Sequence, residues 1–224
     1  MNVLAIVAGS LVGILFRNGI PERYNKTIIH AVSLSVILIG ISSALKTDRI
    51  LVVIFSMAIG SALGEMINIE LKLEQLGKWV ENRMGDSGEG FTKGFVTASL
   101  IYCVGAMAIV GSMESGLSGN HQTLFAKSVL DGVTAIIFAS TFGIGVLFSA
   151  LSVLIYQGTI TLGASMIKPF LVPAVIQQMS AVGGLLIVAI GINMLDIGKI
   201  KIGNMLPAIF LPLLYFMFRQ ILGI

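Results

Sequence analysis

Apolar runs of membrane-crossing length, separated by short polar stretches, dominate this chain from end to end. The first run, residues 3–16, stops at Arg17-Asn18-Gly19-Ile20-Pro21, where charge, glycine and proline together end a helix. It is short for a span. The second, 28–45, stops at Lys46-Thr47-Asp48-Arg49, and the third, 50–67, follows at once, so the two predict a helical hairpin. Residues 95–110 predict a fourth span, and a polar loop with His121 fills 111–126. From 128 to 167 the only charge is Asp131. As one straight helix this stretch would reach about 60 Å at 1.5 Å per residue, twice a hydrocarbon core of roughly 30 Å. Either two spans turn near Gly143 and Gly145, or one tilted span breaks near Gln157-Gly158 and continues as a half-helix. Further spans are predicted at 172–195 and 205–222, with a turn at 196–201 between them.

The one strongly charged stretch is 68–93. Its Ile69, Leu73, Leu76, Val80 and Met84 fall at helical spacing, and Glu74 and Lys78 pair at i, i+4 on the other side. With Trp79 near its end, this predicts an amphipathic helix at the membrane surface, or a cytoplasmic extension of the third span. Gly85-Asp86-Ser87-Gly88-Glu89-Gly90 predicts a turn.

Composition makes lipid the solvent. Of 224 residues, 56% are apolar and 11% charged, against roughly a quarter charged in a soluble domain. Mean hydropathy is +0.97. The fold class is an all-α polytopic integral membrane protein with seven, alternatively eight, transmembrane helices and one broken or re-entrant region. The net charge of +3 comes from bases spread through loops, which excludes a nucleic-acid surface. A lone cysteine, Cys103, permits no intrachain disulfide and no cysteine metal cluster.

Cytoplasmic loops carry an excess of Lys and Arg. With the N-terminus outside, Arg17, Arg23, Lys26, Lys72, Lys78, Arg83 and Lys93 fall inside, while Lys46, Arg49 and Lys127 fall outside. That favours an outside N-terminus. The rule leaves the C-terminus open: a seven-span chain puts Lys168 and Arg219 inside, an eight-span chain Lys199 and Lys201.

Sliding the chain on itself by about 151 positions lays Ile39-Gly40-Ile41 on Ile190-Gly191-Ile192 and Arg17 on Lys168. Both stretches show a short apolar segment ending in a base, a proline-containing connector, a full span, a tight charged turn and another span. The single membrane domain, 1–224, thus divides into repeat unit 1 (1–67), a cytoplasmic amphipathic linker (68–93), central spans (94–150) and repeat unit 2 (151–224). Transporters are often built from such repeats, parallel or inverted, with binding sites near short or interrupted helices at matching positions.

Asn2-Val3-Leu4-Ala5 with Gly9 and Gly13, Gly19-Ile20-Pro21-Glu22-Arg23, Gly60-Ser61-Ala62-Leu63-Gly64-Glu65 and Ser180-Ala181-Val182-Gly183-Gly184 occur in that order along the chain. The sequence resembles the bacterial DUF554 family of uncharacterised membrane proteins over its whole length. The resemblance implies a bacterial inner-membrane protein and brings no established substrate or mechanism with it.

Polar groups at membrane depth are costly and turn toward protein or water. The cluster Tyr156-Gln157-Gly158-Thr159-Ile160-Thr161 lies inside an apolar stretch, and a helix interrupted there would offer Tyr156, Gln157, Thr159 and Thr161 to a small polar solute or ion. Structural use is the alternative, with hydroxyls bonded back to their own helix and Gln157 crossing to a neighbour. Asn193 and Gln177 are further candidates for solute binding. His30, Glu65 and Asp131 rank behind them, as interface or helix-capping residues if not functional. No catalytic constellation, metal site or cofactor motif is present in the pattern, so an enzyme is not expected. The expected function is a small-solute or ion transporter or channel, alone or as a homo-oligomer in the bilayer; the alternative is a non-transporting scaffold or regulatory partner acting through residues 69–84.

Overall fold

The structure, a computed structural model, describes residues 1–17, 22–72, 75, 91–103, 106–167 and 172–222. In lipid every backbone N–H and C=O must be paired within the protein, and helices do this segment by segment. The described elements are accordingly helical: α1 (Asn2–Arg17), α2 (Glu22–Ala44), α3 (Ile50–Ile67), α4 (Phe91–Cys103), α5 (Ala106–Ser118), α6 (Gln122–Phe142), α7 (Gly145–Leu162), the single-turn α8 (Ala164–Ile167), α9 (Pro173–Met194), α10 (Ile202–Met205), a 3₁₀ turn (Leu206–Phe210) and α11 (Leu211–Leu222). Six segments are long and apolar enough to cross a membrane: Lys26–Ala44, Ile50–Ile67, Gln122–Phe142, Gly145–Leu162, Pro173–Met194 and Ile202–Arg219. The charged stretch after α3 is helical at 69–72; Trp79 and most of the predicted amphipathic helix lie outside the described residues.

The helices α4 and α5 form a pair bent by 61°. The Phe91 carbonyl lies against Gly145, Gly94 meets Phe142 and Val146, Ser99 and Ser152 share a hydrogen bond of 3.0 Å, and Gly116 meets Thr161 and Ala164. The pair therefore advances along the whole of α7 and does not double back. Counted as one kinked span it makes seven, with the shorter apolar α1 beside them.

The long stretch 128–167 is two helices, divided where Gly143 adopts φ +78, a left-handed conformation open to glycine at little cost. The Gly143 N–H still pairs with the Ala139 carbonyl at 2.9 Å. This corrects the second expectation for that stretch. No interruption occurs at Gln157-Gly158, because α7 is continuous from Gly145 to Leu162 and Gly158 keeps its place in the helix. The segment before Lys168, expected to match α1 as a separate short helix, is instead the second half of α7 followed by α8. The last span also differs: Pro207 and Pro212 each remove a backbone donor, and a 3₁₀ turn joins α10 to α11.

At the centre stands α9, with 72% of its span buried against 33% or less for the other five. Val175, Ala181, Val182 and Leu186 are fully enclosed. Glycines let backbones touch, as small residues commonly do between membrane helices. Gly40 of α2 lies against Gly184 and Val188 of α9, and Gly191 of α9 lies against Ser33 and Ile37 of α2. Each glycine of an Ile-Gly-Ile triplet thus meets the positions seven and three before the other. Rising numbers on α2 meet falling numbers on α9, so the two helices run antiparallel. The same holds for α3 against α10 and the 3₁₀ turn, where Gly60 meets Ala208 and Gly64 meets Asn204. By contrast α1 runs parallel to α6, with Gly9 on Gly132 and Gly13 on Ile136.

A buried amide pair and an ion pair at the start of the first helix

The parallel contact of α1 with α6, and the antiparallel course of α7, bring four polar positions on three helices to one level. Asn2 opens α1, Lys127 and Asp131 sit four apart on α6, and Gln157 sits on the later half of α7. All four are buried, with 4% exposure for Asn2, 6% for Lys127, and 7% each for Asp131 and Gln157. The Lys127 ammonium pairs with the Asp131 carboxylate at 2.8 Å. Asn2 Nδ2 donates to Asp131 Oδ2 at 2.8 Å and to Gln157 Oε1 at 3.3 Å. Since a carboxylate only accepts, these bonds fix the amide orientations of Asn2 and, through it, of Gln157. Two hydrogen-bonding groups remain over, the acceptor Asn2 Oδ1 and the donor Gln157 Nε2.

Both residues line a cavity of about 310 Å³. Its apolar wall includes Val3, Leu124, Phe125, Val153 and Leu154, and Ser115, His121 and Thr161 add polar groups. The Ser115 hydroxyl and His121 Nδ1 lie 3.0 Å apart. Space also opens beside Gly158, which has nothing within 4 Å of the position a side chain would take. An unmatched buried donor or acceptor costs about 1–3 kcal/mol; an occupant supplying the complementary acceptor and donor would recover that cost.

Of the residues expected from sequence, Gln157, Thr161 and Asp131 come together here. Tyr156 faces a different, largely apolar cavity with Phe95, Leu100 and Phe210. Thr159 is exposed and its hydroxyl bonds back to the Ile155 carbonyl at 2.7 Å. His30 is exposed on α2. Gln177 donates to the Lys46 carbonyl, and its neighbour Gln178 accepts from Thr47 Oγ1 at 2.6 Å, so this pair pins the α2–α3 turn. Asn193 spans its own turn, donating to the Ile200 carbonyl at 2.8 Å and accepting from the Ile200 N–H at 2.9 Å. Asn193→Ala is therefore expected to lower stability by about 1–2 kcal/mol through two lost hydrogen bonds, read as a lower melting temperature in detergent.

Glu65 belongs to a second polar cluster at the opposite end of the bundle. It pairs with Lys201 at 2.6 Å and accepts from Asn204 Nδ2 at 2.6 Å, while Asn204 Oδ1 accepts from the Glu70 N–H at 2.6 Å. The hydrogen bond that Lys201 donates to Glu65 raises the pKa of its ammonium above the ordinary lysine value, and the pair is exposed. A wider cavity of about 560 Å³ opens there beside Glu70, Lys93, Asp196 and Lys199.

Sequence reasoning missed Asn2 and Lys127. Asn2 is the one polar side chain opening an apolar run; Lys127 was counted as a loop base, and the structure corrects this by placing it inside α6 against Asp131.

Across nearly its full length the chain has relatives. It is 34% identical over 215 residues to the "Uncharacterized membrane protein YdfK" of Bacillus subtilis (strain 168), covering 94% of this chain and 91% of that protein. It is 30% identical over 218 residues to the "Uncharacterized protein YqgA" of Escherichia coli (strain K12), covering 95% and 93%. No solved structure matches it. The family described as "Protein of unknown function (DUF554)" matches residues 1–217, and this multi-helix membrane protein belongs to that family.

Proposed function

We propose that the chain is a multi-pass protein of the bacterial inner membrane that carries or conducts a small polar solute or ion, with Asn2, Gln157 and the Asp131–Lys127 pair forming its site. The observation that carries this is that Asn2 and Gln157, each with an unmatched buried amide atom, Oδ1 on one and Nε2 on the other, line one cavity. An α-helical rather than β-barrel design fits an inner membrane. Lys127 drops out of the loop count, while Arg17, Lys72, Lys93, Lys199 and Lys201 gather at the end of the bundle reached by the C-termini of α1, α3 and α9. This supports an outside N-terminus and an outside C-terminus. Two units related by inversion also fit the reciprocal Gly40 and Gly191 contacts and the antiparallel course of α2 with α9 and of α3 with α10.

The test is a proteoliposome panel of small polar solutes and monovalent ions. At least one is expected to cross faster than in protein-free vesicles and to fall to the control rate with Gln157→Leu, which suits a membrane helix. Control rates for every solute with the unsubstituted protein would reject transport.

A further inference from the structure

We infer that the occupant of the Asn2–Gln157 cavity is a small uncharged solute presenting a donor and an acceptor side by side, of the carboxamide or urea class, and not a bare ion. The inference rests on the transport proposal above and narrows it.

The inventory of free valences decides the class. Lys127 and Asp131 neutralise one another, and the Asp131 oxygens are engaged by Lys127 and Asn2. A dehydrated monovalent cation needs several oxygens around it, and among the described side chains that line this cavity Asn2 Oδ1 is the one unmatched buried acceptor. Of the buried side-chain atoms lining the cavity, an anion finds one unmatched donor, Gln157 Nε2, bonded through its own amide to a group that holds a carboxylate. A primary amide or a urea brings an N–H for Asn2 Oδ1 and a carbonyl for Gln157 Nε2 in one rigid plane. A volume of about 310 Å³ stands at the low end of the roughly 300–1,000 Å³ of ligand pockets, and its Val, Leu and Phe wall suits a compact body. Desolvating a neutral amide costs several kcal/mol, whereas an isolated ion costs far more.

Stopped-flow light scattering of proteoliposomes, with acetamide and urea as probes against potassium and acetate, tests this. Acetamide or urea is expected to enter several-fold faster than in empty vesicles, with potassium and acetate at the control rate. Gln157→Glu, which replaces the open donor by an acceptor at nearly constant shape, is expected to slow amide entry about tenfold, and Thr159→Val to leave it unchanged. Potassium or acetate crossing while both amides stay at control overturns the solute class and leaves transport standing; no probe crossing here and none in the wider panel overturns both. If Gln157→Glu fails to fold, the unsubstituted protein still decides: acetamide should raise its melting temperature in detergent at concentrations where sodium acetate does not, and equal shifts overturn the inference.

Discussion

Asp131→Ala is expected to destabilise the folded protein by about 3–5 kcal/mol, the usual cost of removing one partner from a buried ion pair. The cause is what remains. Lys127 would be left buried at 6% exposure without its partner, and Asn2 would lose the acceptor that fixes its amide. In a membrane bundle no water waits behind the side chain to take over. The double substitution Lys127→Met with Asp131→Leu removes both charges and is expected to recover most of the loss, since apolar replacement of a buried pair is often neutral or better. Melting temperatures in detergent for the two single variants and the double variant check this. Asp131→Ala within about 1 kcal/mol of the parent would mean that the pair is hydrated and that the cavity reaches it.

Gly40→Leu and Gly191→Leu are each expected to cost about 3 kcal/mol, the upper part of the range for overpacking, because a side chain at either position meets backbone as well as side-chain atoms. At Gly40 it would strike the Gly184 carbonyl and the Val188 amide; at Gly191, the Ser33 carbonyl and Ile37. The contacts are reciprocal in position but tighter against backbone at Gly40, where an added Cβ would lie 2.7 Å from backbone against 3.0 Å at Gly191, so the loss at Gly40 should be somewhat the larger. Gly158→Ala is the control: open space beside it and the better helix propensity of alanine predict no loss. A cost near zero at either position would show that the α2–α9 crossing is not close there and would remove a main support for the two-unit proposal.

Much of the fold was legible because span length and apolar runs are local properties of the chain. The break in 128–167 was harder to place, since a glycine inside a membrane helix and a glycine that leaves one look alike in sequence; only φ separates Gly143 from Gly158. The site was legible in part. Gln157 stood out because an amide in an apolar run must find a partner. Its neighbours split by helix geometry: Gln157 and Thr161, four apart, share the cavity face, while Thr159, two positions on, turns to the opposite side. Asn2 was hidden because its partners come from other helices, and Lys127 because, next to a polar loop, it looked like a base beyond the membrane edge. Asn193 and Gln177 looked like solute ligands since sequence does not display the turns that they tie down.

The placement of Lys127 and Asp131 on one helix has a consequence for biosynthesis. Four residues apart on the same face, they can meet as soon as α6 has coiled, before α1 or α7 has docked. The newly made segment can then leave the insertion machinery with its charges already cancelled, and the penalty of two separate ions in hydrocarbon never has to be met. A pair divided between two helices would have left each to enter the bilayer charged and alone, so the order of assembly is eased by where four positions of sequence put an acid and a base.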